Sequence, residues 1–132
     1  MATEYRKKIL VVDDDQLART ILQRGIILAG YDVLFASSGQ EAMQKIHEVT
    51  PDLIVVDLVM PDMNGFELCR RIRSNEQTKK TPVIVITGLQ GQTEIEDAKS
   101  SGADVFLTKP VNAEEFINHV KKYLGSPFKA AP

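Results

Sequence analysis

The sequence has little cysteine and lacks any long apolar run, and each absence excludes a class of protein. A single cysteine among 132 residues, Cys69, excludes an internal disulfide and a thiolate metal cluster. Every apolar run is far shorter than the ~20 residues that span a bilayer. Residues 1–8 are polar and lack the apolar segment of a secretory signal. We therefore expect a cytoplasmic protein without membrane contact.

A strong excess of one charge is also missing. Sixteen Lys and Arg residues stand against eighteen Asp and Glu residues, for a net charge of −2. Without a broad basic field, we expect no direct nucleic-acid binding. The length suits one domain, and 43% hydrophobic residues are ordinary for a globular protein. We predict one domain over residues 1–124, followed by a C-terminal tail or linker stub at 125–132, where two prolines interrupt any periodicity.

Five short apolar runs alternate with segments of helical periodicity. The runs cover residues 9–12, 33–36, 53–56, 83–86 and 105–107. Each run is nearly continuous, which is typical of strands buried on both faces of a parallel sheet. The helical pattern is weakest at 92–100, where only Ile95 and Ala98 mark an apolar stripe and a short or mobile helix is expected. The alternation predicts an α/β fold, a doubly wound five-stranded parallel sheet with five helices.

Polar residues follow four of the five runs at the point where each run ends. Residues 13–15 are three aspartates after the first run, Asp57 follows the third, Thr87 the fourth, and Lys109 comes just beyond the fifth. In an open α/β sheet these carboxyl ends form the ligand-binding rim. Clustered carboxylates repel one another unless a cation or the lysine compensates their charge, and oxygen ligands suit Mg²⁺. An aspartate in such a site can attack phosphorus, while a hydroxyl and an ammonium bind the phosphoryl oxygens.

Four motifs at this rim carry a resemblance to a known family. They are residues 9–15, 57–65, 86–88 and 109–110. In this order and spacing they resemble a response-regulator receiver domain, similar to the single-domain chemotaxis regulators, over about residues 8–124. The resemblance implies a flavodoxin-like sheet with strand order 2-1-3-4-5. It also implies a phosphoacceptor in a two-component or phosphorelay system.

The resemblance assigns the phosphoacceptor and the metal site. Asp57 would take the phosphoryl group from a histidine kinase or a histidine phosphotransfer protein. Asp14 and Asp57 would supply carboxylates to Mg²⁺, with the backbone carbonyl of Val59 as a further ligand. Asp13 would act through a metal-bound water. The chain would then catalyse only its own phosphorylation and dephosphorylation, and would not be an enzyme for other substrates.

The resemblance also assigns the residues that respond to phosphorylation. Lys109 would pair with a phosphoryl oxygen, and Thr87 would move in to bond with it. Phe106 stands where the family keeps an aromatic switch residue, which turns inward once Thr87 is engaged. The family tends to have a cis peptide bond before the proline that is Pro110 here. The switched surface would be formed by the fourth helix, fifth strand and fifth helix, for an unidentified downstream protein or a phosphorylation-dependent homodimer.

Two departures from the family pattern carry expectations of their own. Phe106 has no phenolic hydroxyl with which to bind a partner. Val59 and Leu89 stand two residues beyond Asp57 and Thr87, and neither side chain can hydrogen-bond an attacking water. We therefore expect slow intrinsic dephosphorylation.

Other interpretations of the same residues stay open at this point. An aspartate-nucleophile phosphohydrolase of the haloacid-dehalogenase type would use Asp13, but it needs a threonine where Leu17 stands and leaves Asp57 without a role. A flavodoxin-like mononucleotide carrier would need a first loop rich in Gly, Ser and Thr, whereas three aspartates repel phosphate. Asp15 alone suits an N-cap of the first helix, and Cys69 suits the core.

Overall fold

A computed structural model describes residues 5–88, 96–97 and 100–130 of the chain. The strands in this part are β1 (Tyr5–Arg6), β2 (Lys8–Val12), β3 (Asp32–Ala36), β4 (Leu53–Val56), β5 (Val83–Thr87), β6 (Val105–Thr108) and β7 (Phe128–Lys129). The helices are α1 (Gln16–Leu28), α2 (Gly39–Val49), α3 (Gly65–Ser74) and the C-terminal helix (Ala113–Leu124). None of these helices has both the length and the apolar character needed to cross a membrane.

Within the described residues, five strands form one parallel sheet in the order β3-β2-β4-β5-β6. Numbered among themselves along the chain, these strands have the order 2-1-3-4-5, so the predicted doubly wound fold is confirmed. The chain leaves β2 toward β3 and later returns to the other side of β2 as β4. The strand order therefore reverses between β2 and β4, which is where ligands bind in sheets of this type.

The helix predicted at 92–100 lies largely outside the described residues. Glu96, Asp97 and Ser100 are helical, and the backbone N–H of Ser101 donates to the carbonyl of Asp97 at 3.0 Å.

Side chains of each strand alternate between two cores, one on each face of the sheet. From β2, Leu10 and Val12 pack with residues of α2 and α3, including buried Cys69. Ile9 and Val11 point to the opposite face and pack with residues of α1 and the C-terminal helix. Because helices cover both faces, the central strands are apolar at every position except Lys8 at the start of β2 and Thr87 at the end of β5. This explains the continuous apolar runs in the sequence.

Helices begin where a polar side chain caps the free backbone N–H groups of the first turn. Asp15, Ser38, Asn64 and Asn112 each accept such a bond, at α1, α2, α3 and the C-terminal helix respectively. The capping role considered for Asp15 is therefore confirmed.

The segment after the C-terminal helix pairs with the N-terminus of the chain. β7 runs antiparallel to β1, and the N–H of Lys7 donates to the carbonyl of Pro127 at 2.7 Å. The Arg6 guanidinium lies 5.4 Å from the centre of the Phe128 ring. Residues 128–129, within the segment predicted as a tail or linker stub, therefore pair with β1. The division of the chain at residue 124 stays a prediction.

Candidate functional site

Asp13, Asp57 and Lys109 each stand directly after a strand, at the same edge of the sheet. The backbone N–H of each residue donates to the carbonyl of the last residue of the neighbouring strand. The hydrogen-bond pattern of the sheet thus extends one residue beyond each strand. Asp13 donates to the end of β3 at 3.0 Å, Asp57 to the end of β2 at 2.9 Å, and Lys109 to the end of β5 at 2.8 Å. The three side chains therefore start from backbone positions as fixed as those of the strands themselves.

The Lys109 ammonium lies among three carboxylates. Its Nζ is 3.1 Å from Asp57 Oδ2, 3.2 Å from Asp13 Oδ2 and 3.3 Å from Asp15 Oδ2. An ammonium has three donors, so these three acceptors use its full hydrogen-bonding capacity. Asp13 and Asp57 are buried, at 2% and 5% exposure, whereas the Asp15 side chain is 43% exposed.

The charges of this cluster are not balanced. Burial and the neighbouring Asp57 charge raise the pKa of Asp13 to about 6, although Lys109 and the N–H of Asp15 act in the opposite direction. Burial alone would lower the pKa of Lys109, but the hydrogen bond to Asp57 and the charges of Asp13 and Asp57 outweigh it and raise that pKa to about 12. One ammonium therefore does not neutralise the carboxylates around it, and a further cation fits here.

Three of the carboxylates are spaced for a metal ion. Oxygens of Asp13, Asp14 and Asp57 lie within 4.8 Å of one another, and Asp14 is exposed to solvent. An all-oxygen set with an open, solvated side matches the preferences of Mg²⁺. The N–H of Val59 donates to Asp57 Oδ1 at 3.2 Å and fixes the orientation of that carboxylate.

These groups open into a cleft of about 560 Å³. Its lining residues are Asp14, Asp15, Asp57, Val59, Met60, Pro61, Gly88 and Lys109. The Val59 side chain is 58% exposed beside Asp57. Leu89 was expected, like Val59, to offer no hydrogen bond to an attacking water. It lies outside the described residues.

Thr87 and Phe106 lie on the strands next to the cleft. Thr87 is the last residue of β5 and is fully buried. Phe106, in β6, pairs with Val85 and packs against the core on the α2 and α3 side of the sheet. The peptide bond between Lys109 and Pro110 is cis, as the resemblance implied.

Two contacts near the site were missed by the sequence argument. Asp15 was considered as a cap alone, but it also contacts Lys109. Asp62, to which the sequence argument gave no part in the site, accepts the N–H groups of Gly39 at 2.9 Å and Gln40 at 3.0 Å. It therefore ties the loop after Asp57 to the start of α2. Its partners are more than twenty residues away, so local sequence carries no signal for this contact.

Comparisons with known proteins agree with this geometry. The family model described as "Response regulator receiver domain" matches residues 9–121. The "Alkaline phosphatase synthesis transcriptional regulatory protein PhoP" of Bacillus subtilis is 38% identical over 126 residues, which cover 96% of this chain and 52% of the relative. "Protein PilG" of Pseudomonas aeruginosa is 33% identical, with 90% of this chain and 88% of the relative covered. The chain spans about half the length of PhoP and of two further curated regulators that it matches.

Solved structures show the same fold. The chemotaxis protein CheY4 of Vibrio cholerae superposes with a TM-score of 0.84 at 32% identity, covering 91% of this chain and all of that one. A putative response regulator from Chloroflexus aurantiacus gives a TM-score of 0.86 at 32% identity, covering 91% of this chain and 98% of that one.

These relatives are consistent with a phosphoacceptor role for the chain and do not favour the hydrolase alternative. From the matched family, the sheet topology and the charged rim together, the chain belongs to the response regulator receiver domain family.

Proposed function

We propose that Asp57 is the phosphoacceptor of a switch that receives its phosphoryl group from a phosphohistidine. Receiver domains are signalling domains that interact with histidine kinases and downstream effectors. The observation that carries the assignment is the Lys109 ammonium, 3.1 Å from Asp57 Oδ2. This ammonium can meet the negative charge that a phosphoryl group would add at Asp57, and the N–H of Val59 orients the same carboxylate.

The transfer is an in-line displacement at phosphorus. An Asp57 carboxylate oxygen forms a bond to phosphorus while the bond from phosphorus to the histidine nitrogen breaks, and the imidazole leaves with the electron pair. Val59 holds one oxygen of Asp57 through its N–H, and Lys109 holds the other. Both contacts limit the rotation of the nucleophile before the donor arrives.

Asp13, Asp14, Asp57 and the carbonyl of Val59 would hold Mg²⁺ in this site. When bound, the metal neutralises charge on the phosphoryl oxygens. The protein prepares the site by fixing Asp13, whose Oδ1 accepts the N–H of Asp15 at 2.9 Å. Lys109 supplies the second positive charge from the β6 side of the cleft.

Thr87 and Phe106 pass the change to the surface. The Thr87 hydroxyl, at the end of β5, bonds with the phosphoryl group. Phe106, on the neighbouring strand β6, then turns inward. The output surface includes β6 and the C-terminal helix. The downstream partner and a phosphorylation-dependent homodimer stay predictions.

The start of α1 offers a docking surface for the phosphodonor. Leu17 is 70% exposed there, and with Ile21 and Val111 it lines a second cleft of about 330 Å³. This cleft shares Asp15 and Lys109 with the first one. An apolar surface beside the phosphoacceptor suits the apolar face of a donor helix, which would bring its histidine to Asp57.

Intact-mass measurement tests the assignment. The protein is incubated with Mg²⁺ and acetyl phosphate, beside Asp57→Asn and the surface control Asp32→Asn. We expect one added phosphoryl group in the wild type and in Asp32→Asn, and none in Asp57→Asn or in EDTA. A group that persists in Asp57→Asn would reopen the hydrolase interpretation with Asp13, and no added group in the wild type would contradict phosphorylation at this site.

A further inference from the structure

The carboxylate of Asp15 is shared between two elements. Its Oδ1 accepts the N–H groups of Leu17 at 3.0 Å and Ala18 at 3.4 Å, which caps α1. Its Oδ2 lies 3.3 Å from the Lys109 ammonium. The same side chain therefore connects the first turn of α1 with the residue that follows β6.

The second contact places Asp15 in competition for Lys109. The ammonium has three donors, and Asp57, Asp13 and Asp15 occupy them. A phosphoryl group on Asp57 brings further anionic oxygens to the same ammonium. Asp13 is buried, whereas Asp15 is open to solvent on one side and holds its cap bonds through its other oxygen. When Lys109 turns to the phosphoryl group, Asp15 therefore loses less stabilising interaction than the other two acceptors, because it keeps its cap bonds and its contact with solvent.

We propose that Asp15 is a positioning residue that competes with the phosphoryl group for Lys109, and so restrains the phosphorylation of Asp57. This inference rests on the proposed function of Asp57. It assigns the third aspartate of the first loop a part distinct from metal binding, since its oxygens are not among the group spaced for an ion.

The capping role and the Lys109 role separate in a set of substitutions at one position. Asp15→Asn and Asp15→Ser keep a good N-cap but remove the charge, whereas Asp15→Ala removes both. The rate is measured with acetyl phosphate and Mg²⁺. An Asp57 oxygen bonds to phosphorus as the phosphorus–oxygen bond to acetate breaks, and acetate leaves with the electron pair. We expect all three variants to phosphorylate about fivefold faster than the wild type, as one charge-assisted contact to Lys109 is lost.

A merely structural role would give a different pattern. If the cap alone mattered, the rate would change in Asp15→Ala and stay at the wild-type value in Asp15→Asn and Asp15→Ser. We expect instead that the rate follows the carboxylate, while the urea midpoint of unfolding falls most in Asp15→Ala. A slower rate in Asp15→Asn would overturn the inference, because it would show that Asp15 helps Lys109 rather than competes for it.

A double-mutant cycle separates competition for Lys109 from simple repulsion of the anionic donor. In a Lys109→Gln background, we expect Asp15→Asn to leave the rate unchanged. If Lys109→Gln is phosphorylated too slowly for its rate to be measured, the same four variants are compared by their affinity for beryllofluoride, a mimic of the phosphoryl group. An effect of Asp15→Asn that survives in Lys109→Gln would contradict the proposal.

The outcomes also distinguish this inference from the proposed function. Absence of the phosphoryl adduct in wild-type protein would contradict the role of Asp57 itself. An adduct on Asp57 with equal rates in the wild type and in Asp15→Asn would contradict only the role of Asp15.

Discussion

Replacing Asp57 with asparagine should stabilise the metal-free protein. Asp57 is 5% exposed and shares a small volume with the carboxylates of Asp13 and Asp14. Val59 and Lys109 donate to different oxygens of Asp57. Asp57→Asn keeps the shape and one of these two acceptors, and it removes the charge. The balance between lost attraction and lost repulsion decides the sign of the effect.

The distances indicate that repulsion is the larger contribution. At an effective permittivity of about 20, two like charges about 4–5 Å apart repel by about 3–4 kcal/mol. Asp57 has two such neighbours, so its repulsion totals about 7 kcal/mol. Attraction to the ammonium at 3.1 Å offsets about 5 kcal/mol of this. We expect Asp57→Asn to raise the free energy of unfolding by about 1–2 kcal/mol, the lower end reflecting solvent screening of exposed Asp14.

Urea unfolding in EDTA measures this difference. With a slope of about 2 kcal/mol per molar urea, the midpoint should rise by about 0.5–1 M. Asp32→Asn, an exposed substitution away from the cluster, should change the free energy of unfolding by less than about 0.5 kcal/mol. Mg²⁺ at tenfold its dissociation constant should stabilise the wild type by about 1.4 kcal/mol, and Asp57→Asn by less. A midpoint for Asp57→Asn below that of the wild type would refute the charge argument.

Three further substitutions test other contacts. Val59→Asn should speed loss of the phosphoryl group severalfold, because it places a hydrogen-bonding side chain where water attacks; an unchanged decay of the intact-mass adduct would contradict this. Gly65→Ala would place a Cβ 2.6 Å from Leu58 Cα. We expect the free energy of unfolding in urea to fall by about 1–3 kcal/mol. An unchanged free energy of unfolding would show that the backbone around Leu58 moves without cost. Tyr31→Phe removes the hydroxyl that donates to the Gly125 carbonyl, and should lower the free energy of unfolding by about 1 kcal/mol; no loss would mean that the bond adds nothing.

The sheet and the rim were predictable because their signals are local. A strand buried on both faces requires an unbroken apolar run, and such runs appear at each of the central strands. In a parallel sheet, the residue after each run falls at one edge regardless of the intervening length. Asp13, Asp57 and Lys109 could thus be placed together from their positions alone.

Other contacts could not be predicted because their partners are distant in sequence and chemically unspecific. Asp62 lies in the loop after β4 and accepts an N–H bond from the first residue of α2. From the sequence, an aspartate beside Pro61 is typical of a turn. Residues 128–129 pair with β1 through backbone bonds, which any residues but proline can make. The two roles of Asp15 also depend on where Lys109 arrives, and that position exists only in the folded sheet.

The distribution of burial favours the β6 edge as the part of the sheet that responds to phosphorylation. Every residue of β4 and β5 is buried, so Asp57 and Thr87 extend from strands that are packed on both faces. β6 is an edge strand of the sheet, and its residues are half-buried or exposed. Lys109 follows β6 directly, and its ammonium holds three carboxylates of the cleft. If Asp57 is phosphorylated as proposed, we expect the new anion to redistribute those contacts. We expect the resulting movement along β6 and Phe106, because the residues of this strand are not fully buried.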